Sequence, residues 1–288
     1  MAELDGKVAL ITGATDGLGR ALAAELARGG ATVLVHGRDP ERIADTVREV
    51  TAAAAEADDG QPGGPGTAGD RVRAYQADLA SIAGVRDLAE QVIAAEPRLD
   101  VLVNNAGVGA TVPGGAARQE SADGYELRFA VNYLAGYALA RLLLPLLRAS
   151  APSRIVNVAS VGQQAIDFSD VMLTRDYDGM RAYRQSKLAQ ILFTIDLAAE
   201  LEELDGAEVS VNALHPATFM PTKIVTGPTF STVADGVEAT RRLVAAPPAE
   251  VGTGRFYNGL DEARANDQAY DSAARRQLHE LSVKLTGL

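Results

Sequence analysis

A short apolar run, Val8–Ile11, passes directly into Thr12-Gly13-Ala14-Thr15-Asp16-Gly17-Leu18-Gly19 and then into residues at helical spacing. No other feature restricts the fold as much. A continuous apolar strand of this kind is buried on both faces, which points to a parallel sheet covered by helices. Glycines at the strand–helix junction allow a tight turn and let backbone N–H groups at the helix N-terminus approach a diphosphate. A glycine-rich turn with no ligand has the same local pattern. The strand before it and the helix after it, at the head of an alternating chain, favour phosphate binding.

The alternation continues along the chain. Apolar residues over 18–27 keep helical spacing and stop at Gly29-Gly30, a natural helix end. Residues 32–35, Val72–Gln76, Val101–Asn104, 154–158 and 209–214 read as strands, and residues 40–55, Ile82–Ala95, 125–148 and 183–204 as helices. Pro40 suits a first helical turn. The pattern predicts a single doubly wound α/β domain over residues 1–288, with a parallel sheet of about seven strands and helices on both faces. A hydrophobic content of 47% is enough for its core. Residues 58–69 (DDGQPGGPGTAG) depart from the pattern and read as a flexible surface insertion between a helix and a strand.

Composition removes several function classes. Lys and Arg number 27 against 38 Asp and Glu, a net charge of −11, and no basic cluster offsets it. Such a field repels nucleic acid and anionic lipid. The absence of cysteine excludes disulfides, thiolate nucleophiles and Cys-based metal sites, and three histidines make a His-rich metal site unexpected. The start, MAELDGKVALITGA, carries no basic region, long apolar run or cleavage site, so a cytoplasmic protein is expected. The longest apolar stretch, residues 137–147, is interrupted by Arg141 and Pro145 and reads as a buried helix, so no membrane insertion is expected.

Four further pieces follow in order. Asn104-Asn105-Ala106-Gly107 ends the fourth predicted strand, Asn132 lies inside a helix in FAVNYLA, Ser160 ends the fifth strand in NVASVG, and Tyr183 to Lys187 reads YRQSK. Tyr183 and Lys187, four apart on a helix, project from one face. A phenol titrates near ~10, too high for easy proton exchange at neutral pH, and a nearby ammonium favours the tyrosinate. A carbonyl that gains a hydride needs both a proton and hydrogen-bond donors at its oxygen. Each piece alone has an ordinary structural explanation: a helix-surface pair, a serine cap, an asparagine satisfying buried backbone. All of them together, in this order, point to catalysis.

The combination of TGxxxGxG, NNAG, Asn132, Ser160 and YxxxK resembles the short-chain dehydrogenase/reductase family. The stretches AYRQSKLAQILFTIDLAAEL and VNALHP, with the long step from Ser160 to Tyr183, look most like its retinol-dehydrogenase and WW-domain-oxidoreductase branch. The resemblance implies hydride transfer between a nicotinamide dinucleotide and a carbonyl or alcohol of a small molecule. Tyr183 is then general acid in reduction and base in oxidation. Ser160 hydrogen-bonds the substrate oxygen, Lys187 also binds the nicotinamide ribose, and Asn132 holds a water in a proton relay. Cofactor contacts fall on Gly13, Thr15, Asp16, Gly17, Leu18 and Gly19, on Asp78 and Leu79 at the adenine, and on Asn105, Ala106, Gly107, Tyr183, Lys187 and Pro216. Thr218 or Thr222 meets the carboxamide. Ala217 replaces the glycine of the family's Pro-Gly, and His215 is expected to be a structural residue at a strand end.

Gly37 ends the second strand where NAD enzymes place an acid, and Arg38 follows. A guanidinium there implies NADP(H), with NAD(H) as the alternative, because it can grip a 2′-phosphate through two hydrogen bonds. Asp16 pulls the other way. Residues 217–233, with Phe219, Met220, Ile224, Val225 and Phe230, are expected to form a substrate lid. Residues 163–180, with Phe168, Met172 and Tyr177, are expected to form the opposite wall. Both imply a lipophilic ligand or else plain loop packing. The helices over 125–148 and 183–204 are expected to build a homodimer or homotetramer. Three rivals share the fold. A sugar-nucleotide epimerase or dehydratase uses longer chains and GxxGxxG. A non-catalytic dinucleotide sensor typically loses the tyrosine. A light-driven pigment reductase usually needs a cysteine.

Overall fold

Eight strands lie in one sheet: β1 (Val8–Ile11), β2 (Thr32–Gly37), β3 (Val72–Gln76), β4 (Val101–Asn104), β5 (Ser153–Val158), β6 (Val209–His215), β7 (Phe256–Asn258) and β8 (Asp261–Ala263). Their order is β3-β2-β1-β4-β5-β6-β7-β8. The computed structural model describes residues 3–58, 67–110, 117–204, 208–222 and 228–288. Most of the expected insertion over 58–69, and Ile224 and Val225 of the expected lid, lie outside the described residues. The first seven strands run parallel, as the apolar runs imply, and β8 adds an antiparallel partner to β7. Strand order reverses between β1 and β4, which opens a crevice at their C-terminal ends, the usual ligand position in such sheets.

Helices cover both faces. α1 (Gly17–Arg28), α2 (Pro40–Asp58) and α6 (Val233–Ala245) lie on one side, packed over Ile11, Val33, Val35 and Val103. On the other side are α3 (Ile82–Ala95), α4 (Ala135–Ala149), α5 (Gly179–Glu203) and α8 (Ser272–Thr286), packed over Leu10, Leu34, Leu102 and Ile155. A short α7 (Pro248–Val251) precedes β7. Alternating strand residues therefore feed two separate cores. Leu10, Ile11, Leu34 and Leu102 are fully buried, and burial of each such side chain contributes about 1.5–3 kcal/mol.

Local chemistry fixes the helix starts. Asp39 accepts the Glu41 and Arg42 amides at the head of α2, Ser81 accepts the Gly84 amide in α3, and Asp178 accepts the Met180 and Arg181 amides in α5. Thr232 and Asp235 form a capping box on α6. Residues Phe129–Leu134 wind as a π-helix that runs without a break into α4, with the Ala135 amide donating to Ala130 O. Over Phe129–Ala149 the 21 residues are long and apolar enough to cross a membrane by length and composition, yet Tyr133, Tyr137, Leu139, Leu143 and Leu147 are buried inside the domain. The apolar run is thus longer than the sequence reading allowed, and it packs as the core helix expected.

α8 lies across this helix and α5. The Tyr133 hydroxyl pairs with Ser282 Oγ at 2.6 Å, the Tyr125 hydroxyl donates to Leu285 O at 3.0 Å, and Leu278 is buried in the same core. The last helix thus shares the core beneath these two helices, while Leu142, Leu144 and Leu146 of α4 and Ile195 of α5 stay partly exposed.

Candidate active site

The crevice is built where three strand ends meet. Gly13 has φ +64, and a Cβ on it would lie 2.9 Å from Ala106 Cα, so the glycine turn and the loop after β4 touch. Thr12 Oγ1 accepts the Asn105 and Ala106 amides at 2.9 and 3.0 Å, and Asn105 Nδ2 donates to Thr12 O at 2.8 Å. A Cβ on Gly19 would come within 2.5 Å of Asn105 Nδ2. The Asn105 side chain therefore clamps the turn, while Gly107 stays near Asn132 and Lys187.

The head of α1 carries its own acid. Asp16 Oδ1 caps the helix by accepting the Gly17 amide at 2.8 Å, and Oδ2 takes Arg42 Nη2 at 2.7 Å. The same Nη2 donates to Thr15 O at 3.0 Å. From β2, the Gly13 N–H donates to His36 Nδ1 at 3.2 Å, while His36 Nε2 faces Ala77 O at 3.3 Å. The ring is therefore the Nε2–H tautomer, and burial pushes its pKa down to about 4. A Cβ on Gly37 would lie 2.5 Å from Thr15 Cγ2, so β2 ends in a glycine because the turn leaves no room for more. Arg38 is exposed, and Asp78, also exposed, uses Oδ1 on the Ala80 amide in a turn at 3.0 Å. Leu79 packs into the core beside β2 and α3.

The four expected catalytic residues converge. Burial pushes the Tyr183 phenol up, and the Ser160 side chain beside it draws it partly back; a Cβ on Gly162 would lie 3.4 Å from Ser160 Oγ and 4.0 Å from Tyr183 Cε1. Ser160 Oγ also accepts the Gly162 amide at 3.0 Å. Lys187 Nζ donates to Val158 O at 2.7 Å and to Gln190 Oε1 at 2.9 Å, and sits 5.8 Å from the centre of the Tyr183 ring. Burial brings its pKa down to about 7. The ammonium donates to Val158 and Gln190 and faces the Tyr183 ring without a hydrogen bond to its oxygen among the described residues. Asn132 Oδ1 accepts the Val108 amide at 2.7 Å, and its Nδ2 donates to Val108 O at 3.2 Å and Ser186 Oγ at 2.9 Å. Its amide is thus committed to protein partners.

His215, at the end of β6, is buried beside Pro216 and pushed down to about 4, first by burial and then by Lys187. His215 Nε2 pairs with Thr218 Oγ1 at 3.1 Å. Thr222 instead lies over the glycine turn, its Cγ2 3.0 Å from where a Gly17 Cβ would stand. Between them Phe219 takes φ +49, and its ring contacts that of Phe230 at 5.6 Å, both exposed. Across the crevice, Phe168 and Met172 pack onto the core. The Tyr177 hydroxyl donates to Glu126 Oε1 at 2.9 Å and receives Arg128 Nη1 at 2.6 Å, while Arg128 also donates to Gly109 O and Ala110 O. Glu126 and Arg128 are fully buried. This cluster pins the wall to the loop after β4. His36, Arg42, Gln190, Glu126 and Arg128 escaped the sequence reading, because each acts on a partner from another element.

The short chain dehydrogenase family matches residues 7–228. Human retinol dehydrogenase 14 is 37% identical over 305 residues, covering 99% of this chain and 88% of that protein. Among solved structures, a Pseudomonas aeruginosa RhlG/NADP active-site complex is similar at TM-score 0.65 and 28% identity, covering 88% of this chain and 95% of that one. A 3-ketoacyl-(acyl-carrier-protein) reductase from Brucella melitensis complexed with NADH reaches TM-score 0.65 at 27% identity, covering 88% and 97%.

Proposed function

Because the chain belongs to the short-chain dehydrogenase family, in its retinol-dehydrogenase-like branch, and is an oxidoreductase working with a nicotinamide dinucleotide between carbonyl and alcohol groups, we propose that it prefers NADP(H), acts on a lipophilic small molecule and uses Tyr183 as its general acid and base. The observation that carries this reading is the convergence of Ser160, Tyr183 and Lys187: a Cβ on Gly162 would lie 3.4 Å from Ser160 Oγ and 4.0 Å from Tyr183 Cε1, and Lys187 Nζ sits 5.8 Å from the Tyr183 ring centre.

The residues present fit the dinucleotide: glycines close the turn against its neighbours, and the first turn of α1 faces the crevice. When bound, the dinucleotide supplies or accepts the hydride. Tyr183 gives its hydroxyl proton to the substrate oxygen in reduction and takes it back in oxidation, while Ser160 holds that oxygen. Lys187, carried by Val158 and Gln190, keeps one N–H for the nicotinamide ribose. Asn132, held by Val108 and Ser186, is the residue that would hold the water of the proton relay. Thr222, lying on the glycine turn, joins the cofactor site, while Thr218 steadies His215. Gly37 cannot be an acid without displacing Thr15, and Arg38 follows it in the open; both support NADP(H). Phe219 and Phe230 on the lid support a lipophilic substrate, the class to which the retinol of the human relative's name belongs.

Tyr183→Phe tests the mechanism. The variant is expected to lose carbonyl turnover by at least about a hundredfold while binding NADPH within a few-fold of the parent, measured by nicotinamide fluorescence. Retained turnover would remove Tyr183 from the chemistry.

A further inference from the structure

A carboxylate at the head of α1 is an awkward neighbour for a cofactor bearing a diphosphate and a 2′-phosphate, and the chain answers it with a cation from the next helix. Arg42 stands in the first turn of α2, one turn beyond Arg38, and reaches back across the β2–α2 corner. Its Nη2 alone spans Asp16 Oδ2 and Thr15 O, and both side chains of the pair are about two-fifths exposed, 40% and 41%. Nε and Nη1 make no hydrogen bond among the described residues, so the guanidinium has donors left for an anion arriving from the crevice. Gly37, pressed on Thr15, brings Arg38 to the same corner. Adenosine ribose lies between the glycine turn and the end of the second strand in this architecture.

We propose that Arg42, held in place by Asp16, is a second cation for the 2′-phosphate alongside Arg38, and that the Asp16–Arg42 pair sets how strongly NADP(H) is preferred. The proposal rests on the NADP(H) reading above. Asp16 orients the guanidinium and also competes with the phosphate for it, so the acid limits the preference that Arg42 provides. An acid in the glycine turn then marks a tuned phosphate site and not a preference for NAD(H).

Two fragments of the cofactor test this without any substrate: 2′,5′-ADP, which carries the 2′-phosphate, and 5′-AMP, which lacks it. Binding of each is measured calorimetrically to the full chain and its variants. Arg42→Ala is expected to weaken 2′,5′-ADP roughly tenfold or more, the range for a lost charge-assisted hydrogen bond, with 5′-AMP within about twofold, which also shows that the turn is intact. Asp16→Asn keeps the helix cap and is expected to tighten 2′,5′-ADP by about threefold, within the range for an exposed charge pair. In the double variant 2′,5′-ADP should stay as weak as in Arg42→Ala. Recovery to the parent affinity would mean that Arg42 only neutralises Asp16, and equal loss of both fragments would mean that it only holds the turn; either result overturns the proposal. A parent chain that binds 2′,5′-ADP no better than 5′-AMP would instead overturn the NADP(H) reading itself.

Discussion

His36 has to be neutral to hold the glycine turn, because its Nδ1 accepts the Gly13 N–H while Nε2–H serves Ala77 O. A proton on Nδ1 would set two donors against each other. His215 is held in the same state at the mouth of the lid. Both rings sit at about 4 against an ordinary 6.5. Between those values the unfolded chain binds more protons than the folded one, so stability is fully present above about pH 6.5 and drains away as pH falls toward 4. The loss is on the order of 3 kcal/mol for each ring. Urea unfolding at pH 7, 5.5 and 4.5 should show the midpoint falling stepwise through this window, and His36→Gln should flatten part of the slope. A midpoint constant over the range would contradict the burial of neutral histidines. Sequence alone placed His36 on a strand, but it could not show that the ring crosses to the turn, since that contact spans two elements. The same holds for Gln190 on Lys187. By contrast Ser160, Tyr183 and Lys187 were legible because their spacing is set within one strand end and one helix.

At the scale of elements, the β2–α2 corner decides which cofactor chemistry is open to the chain. Gly37→Asp is the substitution a simple NAD-specificity rule recommends, yet its Cβ would lie 2.5 Å from Thr15 Cγ2 and 3.0 Å from Ile43 Cγ1. The corner must shift to admit it. The expected outcome is weaker binding of NADPH and NADH alike, by about tenfold or more, as a displaced turn loses backbone contacts to the diphosphate they share. A clean switch to tight NADH binding would show that the corner yields easily. The elements themselves were mostly readable: β3, β4 and α3 fall where alternation predicts, because their apolar runs act locally. β7 and β8 were not, at three residues each. Their pairing is dictated by β6 and by a tight hairpin through Gly259, with φ +61, not by any pattern of their own. The π-helical turn around Asn132 was also hidden, since it depends on how Val108 and Ser186 draw the side chain in.

For the whole molecule, the C-terminal helix changes what the two long helices mean. Their apolar faces looked like a subunit interface, but Tyr133, Phe193 and Leu278 close one core together. The interior is thereby completed within one chain, and the crevice at the β1–β4 reversal remains the open face, bordered by Phe219 and Phe230 on one side and by the wall pinned through Tyr177 on the other. The reaction proposed for this face is the reduction of lipophilic carbonyls, and the oxidation of the corresponding alcohols, with NADP(H). The most direct test follows nicotinamide absorbance while the purified chain meets a panel of lipophilic aldehydes and ketones, retinal among them, with NADPH and with NADH in parallel. The expected result is NADPH consumed in step with alcohol formed, faster than NADH at equal concentration. Tight binding of either dinucleotide with no consumption across the panel would contradict it and leave a protein that senses the cofactor without turning it over.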